Sequence, residues 1–236
     1  MKINRILSLL LCIAALLTSL TARSEELTLT TWFTDPSLHG GTAQVSIDGS
    51  GFYSVAAGEL LATTGTGFQW KTFCTDLSAT LASGPFTSLT LEAAQSLPAW
   101  QTPDWAPGGL ARATGAFMTF RDGVTTPREA VALQTLIWEL LYDADPSLNS
   151  GRFQLSPSGT TAGAFGRAAS WLNTAPEYQQ TGSEVWWGPS TESGGFRAGQ
   201  GLLGDAVIVP EPSTVLLLWA AIPIAAFTLW RNQRRS

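Results

Sequence analysis

Thr126-Pro127-Arg128-Glu129-Ala130-Val131-Ala132-Leu133-Gln134-Thr135-Leu136-Ile137-Trp138-Glu139-Leu140-Leu141-Tyr142 is the stretch on which the fold of this chain turns. Thr126 can cap the first free amides of a helix, Pro127 suits the first helical position, and Glu129 completes a capping box, so a helix over Pro127–Tyr142 is expected. At about 100° per residue, Ala130, Leu133, Ile137 and Leu141 share one face, and Arg128, Thr135, Glu139 and Asp143 the opposite one. Gln134 breaks the pattern. It stands within roughly 40° of the apolar centre, one turn from both Ala130 and Trp138. A carboxamide there must find hydrogen-bond partners or cost about 1 to 3 kcal/mol.

Outward from this helix the pattern is strands first, helices in the middle, strands last. Leu27–Phe33 alternates, Thr42–Ile47 and Gly51–Val55 flank the turn Asp48-Gly49-Ser50, and Gly67–Cys74 is rich in aromatics and threonine, as antiparallel strands are. Further helices are expected over Leu89–Leu97, Leu110–Phe120 and Phe165–Asn173, separated by Pro and Gly clusters. Extended structure returns at Val185–Trp187 and Ala206–Val209. The expected class is α+β: N-terminal antiparallel β-strands, central helices, and C-terminal strands returning to the sheet, followed by one transmembrane helix.

The 236 residues are 44% hydrophobic and only 13% charged, and the apolar residues concentrate at the two ends. Residues 1–24 read as a signal peptide: Lys2 and Arg5 precede the apolar run Ile6–Leu17, and the small residues Ala22 and Ser24 suit cleavage. Leu11 before Cys12 argues against lipid attachment. The other end, residues 210–236, holds the apolar segment Thr214–Trp230, about 25 Å long as a helix, then Arg231, Arg234 and Arg235. Arginines held on the cytoplasmic side place residues 25–209 outside, as one exported domain. That domain carries 7 basic and 17 acidic residues, a net charge of −10, with Lys71 its single lysine. Such a surface excludes nucleic acid as a partner, since a phosphate backbone needs a basic face.

Pro210-Glu211-Pro212, a span and a terminal arginine cluster together closely resemble the PEP-CTERM sorting signal of exported proteins in Gram-negative bacteria. The resemblance implies recognition by an exosortase-type membrane protease, cleavage near the Pro-Glu-Pro, transient residence in the inner membrane, and a final place on the cell surface or in the extracellular matrix, as in a biofilm.

Once a signal is removed, Cys74 is the only cysteine, in a compartment where thiols normally pair. It ends the strand Trp70-Lys71-Thr72-Phe73-Cys74, on the alternating face of Phe68 and Trp70. A nucleophilic sulfur and a misplaced carboxamide invite one explanation: attack of the thiolate on the Gln134 side-chain carbonyl, loss of ammonia and an internal thioester. Packing would supply the proximity. The plainer explanation stays open: Cys74 as a small buried apolar residue, Gln134 satisfied by carbonyls at a strand edge.

Phe73-Cys74 and Gln134-Thr135-Leu136-Ile137-Trp138 resemble the paired motifs of the thioester domains of bacterial surface adhesins. Glu139-Leu140-Leu141-Tyr142-Asp143 and Ser150-Gly151-Arg152-Phe153 are similar to exported PEP-CTERM members of that group. By position the resemblance implies a Cys74–Gln134 crosslink supported by Phe73, Ile137 and Trp138. It also implies an α+β domain that acylates an amine on a surface or matrix through the Gln134 acyl carbon. Thr135-Leu136 and Thr75-Asp76 depart from the commoner forms of the two motifs.

Other patterns carry less. Gly199–Gly204 has the letters of a dinucleotide fingerprint but no following helix. Asp143–Asn149 begins like a calcium loop yet lacks the central glycine and closing glutamate, and reads as a solvated helix end. His39, the only histidine, has no nucleophile elbow to serve and reads as a loop residue. Trp100, Trp105, Trp186 and Trp187 could stack on sugars. The expectation is therefore no enzyme, no cofactor and no metal. The expected function is that of an adhesive surface or matrix protein bound to an amine, or alternatively of an inert structural or carbohydrate-binding one bound to a polysaccharide.

Overall fold

In a computed structural model the described residues are 26–31, 39–64, 69–77, 79, 85–89, 91–96, 104–175, 186–189 and 201–204. They form nine strands, β1 (Glu26–Thr31), β2 (Gly40–Ile47), β3 (Tyr53–Gly58), β4 (Leu60–Thr64), β5 (Gln69–Cys74), β6 (Pro85–Leu89), β7 (Phe153–Ser156), β8 (Trp186–Pro189) and β9 (Leu202–Leu203). The helices are α1 (Leu91–Gln95), α2 (Gly109–Phe120), α3 (Pro127–Tyr142) and α4 (Ala164–Leu172), with a short 3₁₀ turn at Arg121–Gly123.

The class is α+β with two antiparallel sheets. One closes on itself in the order β1-β4-β5-β9-β8-β6; the other is three-stranded, β3-β2-β7. The late strands close the ring: β8 pairs with β6, β9 pairs with both β8 and β5, and all these pairings are antiparallel. Closure leaves no open edge on this sheet, which removes a template for aggregation. Residues 206–209 and the span 214–230 lie outside the described residues. Among the described residues, no helix is long and apolar enough to cross a membrane.

The chain changes sheets at Gly58-Glu59. Gly58 has φ +142, and a Cβ there would stand 2.5 Å from the His39 carbonyl and 2.6 Å from the Gly40 Cα, so glycine is required. Glu59 then turns inward. Its carboxylate, 1% exposed, takes His39 Nδ1 at 3.0 Å, the His39 backbone N–H at 3.0 Å and Lys71 Nζ at 2.9 Å. The lone histidine is thus tied to the sheet corner. Arg152 does similar work at the β2–β3 hairpin, forking onto Asp48 at 2.8 and 3.2 Å and reaching the Asp104 carbonyl at 2.8 Å.

Helix α3 starts where its capping residues predict and spans the expected Pro127–Tyr142, but it is not amphipathic in its setting. Every residue from Glu129 to Tyr142 is buried, because α2, α4, β2, β3 and β7 all pack against it. Of the polar face, Thr135, Glu139 and Asp143 are buried and Arg128 is exposed. Thr135 turns its hydroxyl onto its own helix, donating to the Val131 carbonyl at 2.9 Å and lying 3.0 Å from that of Ala132. Glu139, fully buried, accepts the Ser147 N–H. Asp143, 5% exposed rather than a solvated helix end, accepts the backbone N–H groups of Arg152 at 2.8 Å and Phe153 at 2.9 Å. Each of the three residues has a hydrogen-bond partner, although Glu139 Oε2 has none among the described residues.

Three further corrections concern the strands. β4, β6, β7 and β9 were not expected, and β7 stands between α3 and α4, so strands interrupt the helical middle. Leu89 ends β6 instead of opening a helix, and α1 begins only at Leu91. The second hairpin arm is Tyr53–Gly58 rather than Gly51–Val55, because Asp48 and Gly49 take positive φ and Gly51 follows at φ +86, which lengthens the turn.

Candidate functional site: Cys74 and Gln134

Cys74 is the last residue of β5. On one side the strand runs against β9, where Cys74 is opposite Leu202 and the Thr75 N–H donates to the Gly201 carbonyl at 2.9 Å. On the other side β4 pairs only as far as Leu60 opposite Thr72. Two residues further on, the backbone of Cys74 would meet no strand. Gln134 fills that place. The Cys74 N–H donates to Gln134 Oε1 at 3.0 Å, and Gln134 Nε2 donates to the Cys74 carbonyl at 2.8 Å. The carboxamide thereby imitates one residue of a neighbouring strand, offering one acceptor and one donor at ladder distances.

Both partners are secluded. Gln134 is fully buried and Cys74 is 6% exposed, its thiol in no disulfide. Phe73 precedes Cys74 in the strand, and Ile137 and Trp138 follow Gln134 by about one turn of the helix. Phe73 meets Phe117 of α2 edge-on at 6.0 Å, Ile137 is fully buried, and Trp138 packs at 6.4 Å from the Phe153 ring. Trp138 Nε1 has no hydrogen-bond partner among the described residues. The sequence-predicted pair is therefore brought together through the Cys74 backbone, while the rings of Phe73 and Trp138 pack on Phe117 and Phe153. The sorting residues Pro210, Glu211, Pro212, Arg231, Arg234 and Arg235 lie outside the described residues, as do Trp100 and the side chains of Trp70, Trp186 and Trp187.

A second clamp between the same two elements was missed in the sequence. The Tyr142 hydroxyl accepts the Leu77 N–H at 3.2 Å and donates to Asp76 Oδ1 at 3.2 Å. Burial, then the Asp76 charge, pushes the phenol above its ordinary range, so it stays a hydrogen donor. A weak signal was available: Tyr142 follows Gln134 by eight residues, which returns it to within about 80° of Gln134 around the helix.

The chemistry open to this arrangement is limited and specific. The Cδ of Gln134 lies between two atoms held on the backbone of the residue that carries the sulfur. Were Sγ to add to Cδ, negative charge would develop on Oε1, where the Cys74 N–H already points, in the manner of an oxyanion donor. Among the described residues, no group of three His, Cys, Asp or Glu side chains could hold a metal ion. Residues 201–204, where the fingerprint-like sequence ends, contain strand β9 and no helix. Comparison with protein-family models, curated proteins and solved structures finds no match to this chain.

Proposed function

We propose that this chain is an exported surface or matrix protein in which Cys74 and Gln134 close an internal thioester for covalent attachment to amines. The single observation that supports the reading is the paired hydrogen bonding of the Gln134 carboxamide to the Cys74 backbone, in a buried site. In the closing step the Sγ–Cδ bond forms, the Cδ–Nε2 bond breaks, and ammonia leaves with the thiol hydrogen. A thioester, unlike an amide, can acylate an amine, and burial shields it from water until one arrives. The PEP-CTERM-like tail, with exosortase processing after export, supplies delivery to the surface.

Accurate intact mass tests the reading. The expected mass is lower than that of the sequence by one ammonia, with a gain of one methylamine on incubation, and Cys74→Ala and Gln134→Ala each abolish that gain. Full sequence mass in amine-free protein, with a titratable Cys74 thiol, overturns it.

The alternative is an inert structural or carbohydrate-binding matrix protein, and the same clamp favours it in one respect: both hydrogen-bonding atoms of Gln134 are satisfied without any reaction. Phe52 and Tyr53, 53% and 37% exposed at the hairpin, offer aromatic faces to a sugar.

A further inference from the structure

Asp76 lies two residues beyond Cys74, at the point where β5 leaves the closed sheet. The strand-like alternation carries on to Thr75: the Cys74 N–H points to Gln134 on one side and the Thr75 N–H to Gly201 on the other. That alternation puts the side chains of Cys74 and Asp76 on the same face, with Thr75 on the opposite one. Asp76 is 6% exposed, and its Oδ1 takes hydrogen bonds from Tyr142 Oη and the Ala79 N–H, each at 3.2 Å. Two donors from different elements hold the carboxylate in place, one of them from the helix that carries Gln134.

We infer that Asp76 receives the incoming nucleophile, so that the partner of this site is a primary amine presented as an ammonium; the inference rests on the thioester reading above. An ammonium has no lone pair and cannot attack, so it must lose a proton beside the acyl carbon. The carboxylate attracts the cation and takes that proton, which passes to solvent. The free amine then adds to Cδ of Gln134, the C–N bond forms and the Cδ–Sγ bond breaks. The second amine proton goes to the departing sulfur of Cys74. The products are an amide and a thiol, and no oxidant or further reactant is needed. Water and neutral nucleophiles gain nothing from the carboxylate's attraction, which gives the site a preference for lysine-like amines.

The experiment uses the full exported chain and two nucleophiles of similar size, methylamine, an ammonium at neutral pH, and hydroxylamine, which is neutral there. Intact mass first establishes loss of ammonia, and the two opening rates are then read. Asp76→Asn, which keeps an acceptor for Ala79 and Tyr142, is expected to slow methylamine about tenfold or more relative to hydroxylamine. An unchanged ratio of the two rates, whether both fall or neither does, overturns the role of Asp76 and leaves the thioester standing. Should Asp76→Asn not lose ammonia, the ratio for the unaltered protein is set instead against that of a free alkyl thioester in solution: a ratio about tenfold or more above it supports the inference and an equal ratio overturns it. Full sequence mass in the unaltered protein overturns the thioester reading and this inference with it.

Discussion

Glu139→Gln should stabilise the protein at alkaline pH and remove most of the pH dependence of its stability between about 4.5 and about 8. Burial, working against the hydrogen bond from Ser147 and aided by the charge of Asp143, raises the Glu139 carboxyl from 4.5 to about 8. Folded protein therefore holds a proton that the unfolded chain gives up above 4.5. The folded form is favoured fully below that pH, loses the advantage progressively as pH rises, and has lost it above about 8. At about 1.4 kcal/mol for each tenfold change in proton affinity, the difference amounts to roughly 5 kcal/mol as an upper figure, or about 3 kcal/mol once local relaxation is allowed. Glutamine cannot ionise and keeps an oxygen for the Ser147 N–H. Urea denaturation of both proteins at about pH 5 and about pH 8.5 gives the comparison, and taking the difference between them cancels every other titrating group. Parallel pH profiles would refute the burial argument, as would a glutamine variant less stable than the unaltered protein at the higher pH.

Gln134→Leu should cost about 2 to 4 kcal/mol in the same assay, because it leaves the N–H and carbonyl of Cys74 buried without their partner, whereas Cys74→Ala keeps that backbone clamp and should cost less. Thr126→Ala removes the hydroxyl that accepts the Glu129 N–H at 3.3 Å, and should cost about 1 kcal/mol. Glu129 is held down to about 2 by the Thr125 N–H and the Thr125 and Thr126 hydroxyls, so its contribution should be complete above 4.5 and vanish as pH falls through about 2; Glu129→Gln should flatten that acid limb in a thermal scan. Terminal peptide mapping of the exported protein should find a start near Glu25 and an end near Pro210-Glu211-Pro212; an Arg234-Arg235 tail on most molecules would indicate a simple membrane anchor. A reporter fused after Val209 should be active only where periplasmic reporters are.

The local chemistry of helix α3 was legible in the sequence, because caps act over three or four residues. The Thr126 hydroxyl accepts from Glu129 as expected, although the Glu129 carboxylate reaches the N–H of Thr125 rather than that of Thr126 itself. The Asp48-Gly49 turn and the α+β class were legible for the same reason, since turn residues and the change from two-residue to 3.6-residue periodicity are written locally. Gln134 was visible as an anomaly because its polarity conflicts with the face it occupies. What it bonds to was not visible. That depends on β4 stopping at Leu60 while β5 continues to Cys74, a mismatch in strand ends set by register across the sheet. The buried state of Thr135, Glu139 and Asp143 was hidden likewise: periodicity assumes a helix with one face in water, and α3 is covered on several sides by elements distant in the chain. Closure of the ring rests on pairing β8 with β6 and β9 with β5, segments about a hundred residues or more apart, and β9 has only two residues, too few for any pattern. The sequence by itself determined the caps, the turn and the odd pair of residues; only the tertiary structure decided that the pair meets, because backbone groups left over by one sheet had to find partners on a helix sixty residues away.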